Sequence, residues 1–219
     1  MRRRVVALGL AALLWGVQAA CLKQLGAAQS AGISRLTVPN PQLVKLAVSD
    51  FDNLTADLLW MQVIVHNGEQ LVADGDAMRD FSGMYEALDL VTDLDSRFRE
   101  AAIFGSWMLS DAGKVDEARR LLVKSMHQHP SEWIYPYQLG FVEFLYARRY
   151  IEAAEYFSRA ASLPDGPAGA ARMAAGMYAK GNKTDLAIAS WRNIHAKGDA
   201  RVRGFARRAL AKLGVSVDP

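Results

Sequence analysis

An all-α fold is what this sequence predicts. Apolar residues recur at helical spacing, Gly and Pro fall mostly between those stretches, and one pattern of small and large side chains repeats about every 34 residues. Of the 219 residues, 51% are hydrophobic, with a mean hydropathy of +0.00. That composition supports a buried core and is too apolar for a disordered chain.

Taken in chain order, the first element is an apolar run from Val5 to Leu22, interrupted in polarity only by Gln18 and preceded by Arg2, Arg3 and Arg4. As a helix it would span roughly 27 Å, near the lower limit for crossing a bilayer. Leading arginines favour a cytoplasmic N-terminus, so the body that follows is expected outside the cytoplasm. Three fates fit residues 1–23. An uncleaved anchor is the reading adopted; a signal peptide cut near Val17-Gln18-Ala19 or Gln18-Ala19-Ala20 is the second. The third is lipidation at Cys21, since Ala19-Ala20-Cys21 resembles the end of a lipobox, although Gln18 departs from its aliphatic pattern. Cys21 is the sole cysteine, which excludes an intramolecular disulfide and a cysteine-based zinc site.

Residues 24–49 hold Gly26, Gly32, Pro39, Asn40 and Pro41 and read as a linker. The body, 50–214, opens on a helix over about 50–71, whose expected core stripe is Phe51, Leu54, Leu58, Trp60, Met61 and Ile64. Met84 through Leu94 reads as its partner, so that 50–97 forms a degenerate first unit. Three better-defined units follow, at about 98–131, 132–166 and 167–200. Gly105, Gly140 and Ala174 recur at steps of 35 and 34, as do Ala118, Ala153 and Ala187 and then Leu122, Phe157 and Trp191. Small residues let two helices approach, and the large residue fills the space beside them. Turns at Ala112-Gly113-Lys114, Ala147-Arg148-Arg149 and Lys180-Gly181-Asn182 split each unit into two helices, and Pro130 and Pro164 close two of them. A capping helix over 201–214 ends the chain, with Val202, Phe205, Ala209 and Leu213 expected to face the stack and arginines outside.

The helix–turn–helix period, the small residues in both helices and the closing prolines resemble the tetratricopeptide repeat over about residues 98–200. Several aromatic consensus positions are missing, and Glu143 stands where an aromatic is expected. The resemblance implies a right-handed helical solenoid of about three to four helix pairs plus a cap. With the N-terminal segment, it implies a membrane-anchored bacterial envelope protein of that family.

Charge divides the chain. Residues 1–35 carry five bases and no acid, and residues 192–219 carry seven bases and two acids. Removing these two +5 ends from the total of +3 leaves −7 for the middle. An acidic body argues against nucleic acid as the partner. The four histidines, His66, His127, His129 and His195, are scattered, and His127-x-His129 lacks the i,i+4 spacing that puts two ligands on one helical face. No glycine-rich phosphate loop or nucleophile elbow occurs, so no catalysis, cofactor, metal or small-molecule substrate is expected.

What remains is binding of another protein. The first helix of the third unit is rich in aromatics. Tyr137, Phe141 and Phe144 form one stripe on it, and Tyr178 is the equivalent of Phe144 in the next unit. These four are the candidate contact residues, the inter-repeat core being the competing reading. The expected function is a non-catalytic scaffold or adaptor, held at the inner membrane by a single span with its repeats in the periplasm, that assembles or stabilises an envelope complex. Two alternatives stay open: an outer-membrane or periplasmic lipoprotein escorting a pilus or secretion subunit, and a constitutive subunit of a large membrane complex.

Overall fold

The computed structural model describes residues 36–38, 40–42, 44, 51–72 and 80–216. The apolar run Val5–Leu22 and Cys21 lie outside the described residues. Among those described, no helix is long and apolar enough to cross a membrane.

The described chain is all-α. Nine helices follow one another: α1 (Asp52–Val72), α2 (Met84–Leu94), α3 (Arg99–Asp111), α4 (Val115–Gln128), α5 (Ile134–Val142), α6 (Tyr150–Ser162), α7 (Ala168–Lys180), α8 (Thr184–Lys197) and α9 (Ala200–Lys212). A single π-helical turn, Glu143–Ala147, extends α5. Each helix packs against the next in sequence, and α2 also meets α4 and α3 meets α5. Such sequential packing is compatible with a helical repeat.

The turns inside successive helix pairs have one backbone form. Gly113, Arg148 and Asn182, spaced 35 and 34 apart, all take the left-handed conformation, with φ of 79°, 56° and 58°. Lys114, Arg149 and Lys183 follow them with φ of −90°, −92° and −93° and start the second helix of each pair. Helix starts also obey electrostatics: acids occupy the first turn of α2, α3, α4, α6 and α8, where they meet the positive end of the helix dipole. At α9 the Asp199 side chain accepts from the Val202 N–H at 2.8 Å, capping one orphan donor.

The core falls into three clusters and is uneven. From α1 to α5 it is built of large side chains, among them Met84, Leu88, Leu109, Leu121, Leu122 and Tyr135. From α6 onward alanines dominate, with Phe157 the chief exception. The small–large pairing seen in sequence has a direct steric basis at Gly140, whereas Gly105 packs on Leu88 of the preceding unit rather than on Leu122. A Cβ placed on Gly140 would stand 2.6–2.8 Å from three ring atoms of Phe157, and one on Gly105 would stand 2.7 Å from a methyl of Leu88.

Two expectations for buried faces are overturned. In α1 the core face is Ala56, Leu59, Val63, His66 and Gln70. Of the expected stripe only Trp60 packs inward, edge-on to Phe98 at 5.7 Å, while Phe51, Leu54, Leu58, Met61 and Ile64 are exposed. The helix has two apolar faces. The inward one was hidden because its first residue is a small alanine and its last two are polar. Those two polar groups serve the backbone: Asp80 N–H donates to Gln70 Oε1, and His66 Nε2 lies 2.7 Å from the Asp80 carbonyl. In α9 the buried residues are Ala206 and Leu210, with Val202 packed beside them, whereas Phe205 points outward at 39% exposure.

Part of the stretch read as a linker belongs to the packed body. Leu36, Val38 and Val44 are half-buried against the core. The Leu36 carbonyl comes within 2.8 Å of where a Cβ on Gly83 would sit, and Gly83 has φ +77°. Both the close approach and the left-handed backbone require glycine at this start of α2.

Candidate protein-binding surface

The aromatic residues of the helix pairs define the principal candidate surface. Tyr137 and Phe141 lie one turn apart on α5 with ring centroids 5.0 Å apart, and both contact the buried Phe157, at 5.6 and 5.2 Å. Their inner edges therefore fix the α5–α6 packing, while each stays half-buried rather than enclosed. Trp107 of α3 extends the row, 6.1 Å from Phe141 and 6.0 Å from Tyr146. Trp133 extends it at the start of α5, edge-on to Tyr137 at 5.7 Å. On the α7 side the Tyr137 hydroxyl reaches Met173 Sδ at 3.6 Å. One turn before Trp107, Phe104 is exposed, so the row ends on an open phenyl ring.

The other two candidates from the sequence pack against the same buried cluster as Tyr137 and Phe141, through other contacts. Phe144, on the π-helical turn, packs towards Tyr150 at 6.3 Å and lies beneath the Lys180 ammonium, 4.7 Å from the ring centre. Tyr178 is half-buried against the same α6–α7 cluster. The structure thus places all four candidates on one cluster, with Tyr137 and Phe141 in mutual contact and Trp107 beside Phe141. Trp107 carried a legible signal, since it precedes Phe141 by 34 residues, one repeat length.

Several charged groups near the row are engaged in structure. Glu143 is 1% exposed and is held by the Arg119 guanidinium, whose Nη2 lies 3.2 Å from Oε2; Arg119 also bonds Asp116. This joins α4 to the end of α5, and the bond to Glu143 raises the Arg119 pKa further above its already high value. Lys124 similarly ties α4 to α2 through Asp89, at 2.7 Å, and Asp93, at 2.5 Å. Burial pushes the Tyr135 hydroxyl up to about 12. Burial, and then its hydrogen bond to Asp111, does the same for Tyr146, also to about 12.

The histidines that the structure defines most clearly have backbone partners. His129 Nε2 lies 2.7 Å from the Ser96 carbonyl and its ring stacks on Tyr135 at 6.0 Å, an arrangement that pins the α2–α3 connection. Among the described residues no three His, Cys, Asp or Glu side chains converge as metal ligands would. The chain matches no known family profile and no curated protein at a significant level.

Proposed function

We propose that this protein is a non-catalytic adaptor of the tetratricopeptide type. Its solenoid is right-handed, it is tethered by the segment Val5–Leu22 to a bacterial inner membrane, and its repeats face the periplasm. There it grips another protein during assembly or stabilisation of an envelope complex. The observation that carries this reading is the row of half-buried aromatics, Trp107, Phe141 and Tyr137, running across the first helices of successive pairs, with Phe104 exposed one turn before Trp107. Aromatic side chains offer large contact area at low entropic cost and are the commonest anchors of protein interfaces. A surface laid across stacked helix pairs suits an extended segment or a helix of the partner.

The test is a mild-detergent pull-down from native membranes with the full chain. Phe104→Ser, an exposed position, and Phe141→Ala should each reduce partner recovery, with far-UV circular dichroism unchanged for Phe104→Ser. Full recovery with both variants would remove this surface from consideration. Fractionation of the intact protein into the soluble cytoplasm would overturn the membrane tether.

A further inference from the structure

The two ends of the helix stack have opposite character. Residues 50–96 contain eleven acids and one base, a charge of −10, and residues 166–216 contain ten bases and two acids, a charge of +8. Because each helix packs on its sequence neighbour, α1 and α9 lie at opposite ends of the order.

The acidic end is also apolar. On α1, Phe51, Leu54, Leu58, Met61, Val65 and Val72 are all exposed, Phe51 at 64%, Leu58 at 59% and Met61 at 58%. From Phe51, just before the helix, their steps of three, four and seven residues put them on one outward face, the pattern by which one helix seats against another. The same helix carries Asp52, Asp57 and Glu69 and has no Lys or Arg between 51 and 72.

The basic end carries a matching recess. Arg172 of α7, Trp191 of α8 and Phe205, Arg208, Ala209 and Lys212 of α9 line a groove of about 280 Å³. Phe205 forms an aromatic wall with two guanidinium groups on it, Arg208 at 4.8 Å and Arg172 at 5.8 Å from the ring centre. No ion pair found among the described residues involves Arg172, Arg208 or Lys212. Three cations around an apolar recess call for a ligand that brings carboxylates beside an apolar side chain.

We propose that the occupant is a second copy of this chain, with α1 of one copy seated in the α7–α9 groove of the next. The choice follows from charge. Pairing α1 with α1 sets acid against acid, and pairing groove with groove sets cation against cation. Only the unlike ends match both in charge and in apolar surface. Taken as an open, non-reciprocal contact, this pairing leaves one free end of each type on every assembly, so association proceeds beyond the dimer. Being partly electrostatic, it weakens with salt. These surfaces are separate from the aromatic row, so the inference stands independently of the adaptor reading.

Sedimentation velocity on the full chain in mild detergent tests it. The wild-type chain should form species larger than a dimer that grow with concentration and dissociate at high salt. Leu58→Lys, which sets a cation against the groove's cations, blocks the first end and Arg208→Glu the second; both positions are exposed. Far-UV circular dichroism checks that folding is retained. Each variant alone should be monomeric, and an equimolar mixture should give a one-to-one dimer and nothing larger. A wild-type chain that stays monomeric at every concentration overturns the proposal. So does assembly that survives Arg208→Glu, which would point to α1–α1 pairing. A monomer whose basic end binds phosphatidylglycerol vesicles, with that binding lost in Arg208→Glu, assigns the groove to lipid and also overturns it.

Discussion

Replacing Gly140 by Ala isolates the device that lets α5 and α6 approach. In an unobstructed helix interior the change stabilises by about 1 kcal/mol, because alanine has less backbone entropy to lose. Gly176 of α7 supplies that reference, since a Cβ there meets nothing within 4 Å. At Gly140 the new methyl would lie 2.6 Å from the nearest Phe157 ring atom, against an ordinary contact of 3.4 Å or more. The ring would have to retreat by about 0.8 Å, and it is fully buried between Tyr137 and Phe141, so it cannot swing clear. Overpacking of this kind costs about 1–3 kcal/mol, which cancels or exceeds the helix gain. Gly140→Ala should therefore be about 1–3 kcal/mol less stable than Gly176→Ala in urea unfolding followed at 222 nm. Adding Phe157→Leu should recover part of the deficit, giving a non-additive cycle. Equal stability of the two glycine variants, or additivity with Phe157→Leu, would refute the steric account.

Glu143→Ala should destabilise by about 3 kcal/mol, the low end for breaking a buried ion pair because Arg119 keeps Asp116; Glu143→Gln should lose less, and urea midpoints report both. Tyr135 and Tyr146 have folded pKa values raised to about 12 from an ordinary 10, so the folded state disfavours the phenolate. Their contribution to stability is fully present below pH 10 and is lost as pH rises from about 10 to 12. Urea midpoints should fall across that window, and the Tyr135→Phe variant should fall less steeply.

The second halves of the helix pairs were the most legible part of the sequence. In α4 and α6 a single apolar face meets the core, and the buried residues Ala118, Leu122, Ala153 and Phe157 are those whose spacing marked the repeat. Legibility failed where a helix has more than one apolar face. α1 reads equally well inward or outward by periodicity, and the larger side chains suggested the wrong choice. The outward position of Phe205 was hidden for a related reason, since Val202, Phe205 and Ala209 fit one stripe while Ala206 and Leu210 fit another. Around α5 the aromatics encircle the helix, so no spacing rule could sort core from surface. The structure sorts them by contact, giving Tyr137 and Phe141 one edge on Phe157 and leaving the other edge to the row shared with Trp107.

The sequence alone determined that the chain is helical and where its turns fall, because helix periodicity, Gly and Pro placement and the 34–35-residue step are local signals. It also determined the charge asymmetry, which is a matter of composition. Only the tertiary structure decided which apolar face of a helix is buried, because that depends on what lies across the interface rather than along the chain. The same reason assigned Glu143, a buried acid that sequence placed where an aromatic was expected, to its partner Arg119 on another helix. Burial of a charge is tolerable only beside a counter-charge, and that neighbour is 24 residues away in sequence.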